Sequence, residues 1–175
     1  MNLVTAGVMS GDDGAAVTFA GHRLPIPESV VLAKPEIKAY FGRDVILGIR
    51  PSDLEDASLT DESWARMPVV THLTEALGSE THVIFAIDAP PVEHKDVVDL
   101  AQQEKEEEGS AIPLHEGKSL WTARVSARSG VRAGDRIELE VDTSKMHFFD
   151  PESGLTIGAG QESRLGRQAA GIRRS

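Results

Sequence analysis

G-K-S-L-W-T-A-R-V-S-A, residues 117–127, can be read in two ways, and the choice decides the fold. Gly117-Lys118-Ser119 has the look of the end of a phosphate-binding loop, which would make the chain a nucleotide hydrolase. The run that follows alternates: Leu120, Thr122, Arg124 and Ser126 fall on one side, Trp121, Ala123, Val125 and Ala127 on the other. A period of two marks a half-buried strand, whereas a phosphate loop must open a helix. Upstream, the first glycine of G-x-x-x-x-G-K-[ST] is replaced by Ile112, a β-branched residue that resists positive φ. Pro113 follows it and has no N–H to offer a phosphate. The string is read as the lead-in to a strand.

Working outward, the punctuation is that of a β domain. Asn2–Met9 is a strand candidate, 10–14 a turn, and 16–23 a hairpin. Pro35–Phe41 has Pro at a first helical position and Gly42 just past the end, which predicts a short helical turn. Asp44–Arg50 is nearly continuous in apolar residues, the pattern of a strand covered on both faces, and Pro51-Ser52-Asp53 stops it. Residues 55–66 read as loop. Val69–Leu77 and Thr81–Ile87 read as strands broken at Gly78-Ser79. Asp135–Asp142 alternates cleanly, with Ile137, Leu139 and Val141 inward and Arg136, Glu138, Glu140 and Asp142 outward. Met146–Phe149 is a short last strand, followed by a turn at 150–154. The exception is Pro90–Gly109, where Val97, Leu100 and Ala101 share one helical face. Its acidic end, Glu104 to Glu108, is read as a solvated helix face rather than a metal or basic-partner site, and the segment is expected to pack poorly.

Composition bounds the function. With 40% apolar and 26% charged residues the chain is ordinary globular material, and zero cysteines remove thiolate metal sites and Cys nucleophiles. No segment approaches a membrane span, and the start has no signal-peptide pattern. The net charge of −10 is uneven. Residues 159–175 hold four arginines and one acid, which leaves 14 basic and 27 acidic residues, net −13, on residues 1–158. A body so acidic repels a phosphate backbone, and nucleic acid is not an expected partner. The basic tail is read as a mobile terminus, with an anionic partner as the alternative.

Chemistry-bearing patterns are absent. The six histidines (22, 72, 82, 94, 115, 147) show no metal spacing, although His72 and His82 fall on adjacent strand candidates and are weighed as a facing pair. There is no G-x-S-x-G, H-E-x-x-H or G-x-G-x-x-G. No catalytic residue, metal site or cofactor site is therefore expected. The residues alone lead to an acidic, mostly β interaction domain.

V-I-L-G-I-R-P-S-D-L (45–54) carries the reading further. It resembles the G-I-R-P-E-x-[LI] signature in the C-terminal regulatory domain of ATP-binding subunits of carbohydrate importers, the maltose-importer ATPase family. Leu73–Val83 is similar to that family's E-x-L-G-x-E-x-x-[VI], Val131–Glu140 to its G-x-x-[VI]-x-[LV] strand, and Lys145–Gly154 to its H-x-F-D-x-x-[ST]-G ending. Met1-Asn2 resembles the pair at which that family leaves its ATPase domain. The resemblance implies a transport-associated OB domain: a mainly β, OB-like barrel over residues 1–158, with one inserted amphipathic helix at about 90–109. It also implies a longer subunit whose missing part would bind ATP and Mg²⁺, so this fragment is not itself an enzyme. Implied partners are a second copy, the permease subunits reached through the missing domain, and a regulatory protein. The implied place is the cytoplasmic face of the membrane, with trehalose, maltose or glycerol 3-phosphate as cargo.

By position, Gly42, Gly48, Glu75, Gly134 and Phe149 match the family's regulatory and dimer surface. The bland alternatives stay open: turn or bulge glycines at 42, 48 and 134, and a core ring at 149. Arg50 and Pro51 form the structural motif, and the end of a buried strand at Arg50 predicts a charge partner in Asp53 or Glu55. The competing function is a small-ligand sensor for an oxyanion or a sugar. An OB-type nucleic-acid binder and a hydrolase using scattered carboxylates are weaker readings.

Overall fold

The alternating run becomes a strand, Ser119–Ser126, with Ser119, Trp121, Ala123 and Val125 buried and the residues between them half-buried. The computed structural model describes residues 1–60, 64–99 and 117–158. In chain order these residues form β1 (Asn2–Gly11), β2 (Gly14–Phe19), β3 (His22–Ile26), α1 (Glu28–Ala33), β4 (Asp44–Ile49), β5 (Leu54–Asp56), β6 (Ala65–Leu77), β7 (Glu80–Ile87), β8 (Ser119–Ser126), β9 (Arg136–Val141) and β10 (His147–Phe149). The mainly β architecture expected of an OB-like domain is therefore present. α1 leaves no mark in the sequence: only Val30 of its six residues is buried, so it carries no amphipathic period.

Two five-stranded sheets share the strands, in the orders β10-β4-β1-β2-β3 and β5-β9-β6-β7-β8. All pairings are antiparallel. β4 lies inside the first sheet, and its residues 45–49 are buried, as its unbroken apolar run predicts. One apolar core spans both sheets, from Val4, Leu24 and Leu47 to Phe85, Trp121 and Leu139. The chain first crosses between sheets at the R-P-S-D stretch, and it returns to the first sheet between β9 and β10. Pro51–Asp53 makes a 3₁₀ turn closed by Asp53 N–H to the Arg50 carbonyl at 3.0 Å, and β5 then joins the second sheet.

Four local expectations need correction. Residues 55–66 are not all loop: β5 pairs with β9 across 54–56, and β6 begins at Ala65, before the expected Val69. On β9, Leu139 and Val141 point inward as expected, but Glu140 (0% exposed) and Asp142 (7%) are buried rather than solvated. The Glu140 carboxylate accepts from the Thr60 hydroxyl and from Arg66 at 3.4 Å, so β5, Thr60 and Arg66 cover what a lone strand would leave wet. The strand end at Arg50 is exposed rather than buried, and the buried carboxylate of that stretch is Asp53, with Lys145 Nζ at 3.8 Å. Finally, helical backbone covers 95–99, and Val97 is fully buried against Met1, Ile46 and Phe149, so this part is well packed. The remainder of the 90–109 helix from residue 100 onward, and the 159–175 tail, lie outside the described residues.

The turn after β10 is locked to the 3₁₀ turn at Pro35–Tyr40. The Tyr40 hydroxyl donates to Asp150 at 2.6 Å, and Ser153 adds its backbone N–H at 2.7 Å and its hydroxyl at 2.8 Å. Donation by Tyr40, then by Ser153, pulls the Asp150 carboxyl down to about 2. Because the folded value lies below the ordinary 3.8, the stabilisation is complete above that value and is lost as pH falls through about 2. The carboxylate is only partly buried, so solvent screening holds the effect below about 1 kcal/mol. Chemical denaturation followed from pH 5 down to pH 2 will show this loss in the native chain. Asp150→Asn will lack that component of the acid dependence; an unchanged profile would mean that Asp150 is uncoupled from folding.

Candidate functional site

Of the residues assigned to a regulatory surface, the structure brings together only Gly48 and Phe149. Gly48 sits in the middle of β4, between Leu3 of β1 and His147 of β10. A Cβ there would collide with the Met1 sulfur and lie 3.2 Å from the Phe149 ring, so this glycine is neither a turn nor a bulge but makes room for two buried side chains. Phe149 is 4% exposed, in the cluster of Met1, Ile46 and Val97. Gly42 and Gly134 are exposed turn residues with φ of 79° and 90°, which an L side chain rarely adopts, and their N–H groups donate to Val8 and Thr71 carbonyls at 2.8 Å. Glu75 stands on β6 opposite His82, four residues beyond the Thr71 carbonyl that accepts from Gly134. Pro51 is buried at the sheet crossover described above, beside exposed Arg50.

The G-K-S string folds as its alternation predicts. Gly117 has φ 74°, Ser119 opens β8, and both its N–H and its hydroxyl donate to the Ala89 carbonyl, at 2.8 and 2.9 Å. The hydroxyl is spent on closing the strand end. Lys118 Nζ stands 3.6 Å from Asp88, with both side chains exposed.

His72 and His82 do not face each other. A bulge between Thr71 and Leu73 shifts the register, placing Glu75 across from His82, whose Nε2 lies 3.3 Å from Glu80. Among the described residues no group of three His, Asp or Glu side chains is placed to hold a metal. His94, just before the short helix, packs its ring against Gly154, and its Nε2 lies 3.3 Å from the Glu152 carbonyl.

Among the described residues, a cleft of about 510 Å³ lies where β3, β6, β9 and the lead-in to β8 meet. Its polar lining is His22, His72, Lys118, Arg136 and Glu138, on an apolar floor that includes Val70. Burial pushes the His22 imidazole below its ordinary value, so it is neutral at pH 7 and offers one N–H. Glu138 is 3.3 Å from Arg66. Sequence reading missed this grouping, because its members come from four distant segments and no local period links them.

Residues 1–54, which take in β1 to β4, match the family described as the MalK OB fold domain. The trehalose import ATP-binding protein SugC of Mycobacterium tuberculosis is 33% identical over 153 residues, covering 82% of this chain and 36% of that protein. The oligosaccharides import ATP-binding protein MsmX of Bacillus subtilis is 29% identical, covering 77% and 29%; the sn-glycerol-3-phosphate import ATP-binding protein UgpC of Paracoccus denitrificans is 30% identical, covering 81% and 31%. The chain spans about a third of the length of these relatives. Among solved structures, the cytoplasmic molybdate-binding protein ModG matches with a TM-score of 0.48 at 14% identity, covering 83% of this chain and 92% of that one. Among the described residues no helix is long and apolar enough to cross a membrane.

Proposed function

Because this chain belongs to the MalK-type OB-fold domains of sugar ABC importer ATP-binding subunits, we propose that it is the regulatory and dimerisation domain of such a subunit, without catalysis of its own. The observation that carries this reading is the reach of the similarity. The family match takes in the strands of the first sheet up to the crossover, and the relationship to importer subunits extends it through the second. ATP and Mg²⁺ chemistry, and contact with the membrane permeases, are assigned to parts of the subunit outside this chain. The working place is the cytoplasmic face of the membrane, and a disaccharide of the trehalose or maltose kind is the proposed cargo. A regulatory protein is the further partner this reading expects.

The pairing surface we assign lies on β6. β9 pairs with β6 only as far as Val70, and beyond it the Leu73–Leu77 edge away from β7 has no strand partner among the described residues. Leu73 (41% exposed) and Leu77 (52%) flank Glu75 there, and such an apolar strand edge favours pairing with another chain. Light scattering over about a hundredfold dilution should show a mass moving between one and two chains. The double substitution Leu73→Glu, Leu77→Glu, at exposed positions that spare the core, should leave a monomer throughout. A native chain that is monomeric at every concentration would sink the dimerisation reading.

A further inference from the structure

We propose that the cleft at the junction of β3, β6, β9 and the lead-in to β8 binds a small phosphate monoester, with Lys118 and Arg136 as the cationic contacts and His22 and His72 as hydrogen-bonding partners. The proposal does not rest on the pairing of subunits and stands or falls separately from it.

The first argument is charge. Residues 1–158 carry net −13, so an arbitrary patch of this surface repels anions. The cleft reverses the balance by gathering Lys118, Arg136 and two of the chain's six histidines against one carboxylate, Glu138. That carboxylate lies 3.3 Å from Arg66, a cation outside the cleft, in a pair whose side chains are both about half exposed. Arg136 forms no ion pair among the described residues. Lys118 meets Asp88 at 3.6 Å, but these side chains are 47% and 80% exposed, a water-screened pair that a dianion displaces readily. An Arg–Lys pair is suited to a phosphate, since the guanidinium fork takes two oxygens and the ammonium adds a point charge.

The second argument is size and lining. About 510 Å³ is more than a bare phosphate fills, and it lies within the range of sites that enclose small organic ligands. Pro68, Val70 and Ala86 supply an apolar wall for a carbon body attached to the anionic head. Neutral His22 adds an N–H donor without demanding a counter-ion. Phosphorylated sugars and inorganic phosphate share the head-group chemistry; the cleft volume favours the ester.

The test is titration calorimetry on the 175-residue chain with glucose 6-phosphate, inorganic phosphate and unphosphorylated glucose, each to about 10 mM at constant ionic strength. The expected result is saturable binding of glucose 6-phosphate, binding of phosphate about tenfold weaker, and none of glucose. Lys118→Gln and Arg136→Gln should each weaken the ester about tenfold, and the double variant should abolish it. Both positions are exposed, and unchanged far-UV circular dichroism and melting of the variants confirm the fold. Equal affinity for phosphate and ester would support the site and assign it to the free anion. No binding of either, binding of glucose alone, or binding unchanged in the double variant would overturn the proposal.

Discussion

Trp121→Ala is expected to cost about 3–5 kcal/mol, a large part of the roughly 5–15 kcal/mol that holds a domain together. The indole is 1% exposed, 5.5 Å from the Phe19 ring of the first sheet and 6.2 Å from the Phe85 ring of the second. Its N–H donates to the Leu3 carbonyl at 3.3 Å, so one side chain supplies apolar area and a polar tie across both sheets. Removing it leaves a cavity that backbone-bound neighbours cannot fill and leaves the Leu3 carbonyl without that donor. Trp121→Phe keeps most of the ring contact and should lose only about 1–2 kcal/mol. Urea unfolding followed by far-UV circular dichroism measures both, with the slope unchanged if the denatured state is unaffected. A cost below about 1 kcal/mol for the alanine variant would mean that the two sheets do not share this part of the core.

Asn2→Leu is expected to cost about 2–5 kcal/mol, although it exchanges a polar side chain for an apolar one of similar shape at a buried position. Asn2 is 4% exposed, and its amide bridges the backbone of Thr122: Nδ2 donates to the Thr122 carbonyl at 2.8 Å, and Oδ1 accepts the Thr122 N–H at 2.9 Å. The side chain thereby imitates one rung of a strand ladder and joins β1 to β8 where no strand pair exists. Leucine fills the space, excludes water and strands both Thr122 groups, whose desolvation is then uncompensated. Amide exchange at Thr122 should accelerate along with the loss of stability. Retained protection there, with stability within about 0.5 kcal/mol of native, would show that the bridge is dispensable.

How far the sequence discloses a feature depends on the distance along the chain that the feature spans. Alternation at 119–126 and 136–141 and the unbroken run at 45–49 report on burial within one strand, and each strand forms as read. Burial of Glu140 depends on Thr60 and Arg66, which are far away in sequence, so its outward position on β9 is legible and its covering is not. Gly48 reads as a turn or bulge glycine because the Met1 and Phe149 side chains that crowd it arrive from opposite ends of the chain. The short strand β5 has three residues, too few for a period. The same limit hides the cleft: residues 22, 72, 118 and 136 converge only after both sheets are made. Asn2 carries no signal beyond being a short polar residue before an apolar run.

β10 has a kinetic meaning beyond its three residues. It pairs with β4 at His147↔Gly48 and Phe149↔Ile46, so the sheet begun by β1 to β4 gains its outer member only after about a hundred further residues have followed. At ordinary elongation rates of ~5–20 residues per second, β4 waits several seconds with that edge unpaired. Closing so long a loop is an entropic barrier that grows only slowly with length, but it must be crossed before the contact is gained. During that interval the apolar run Val45–Ile49 keeps an open edge, the condition under which an unpaired strand can associate with a neighbouring chain.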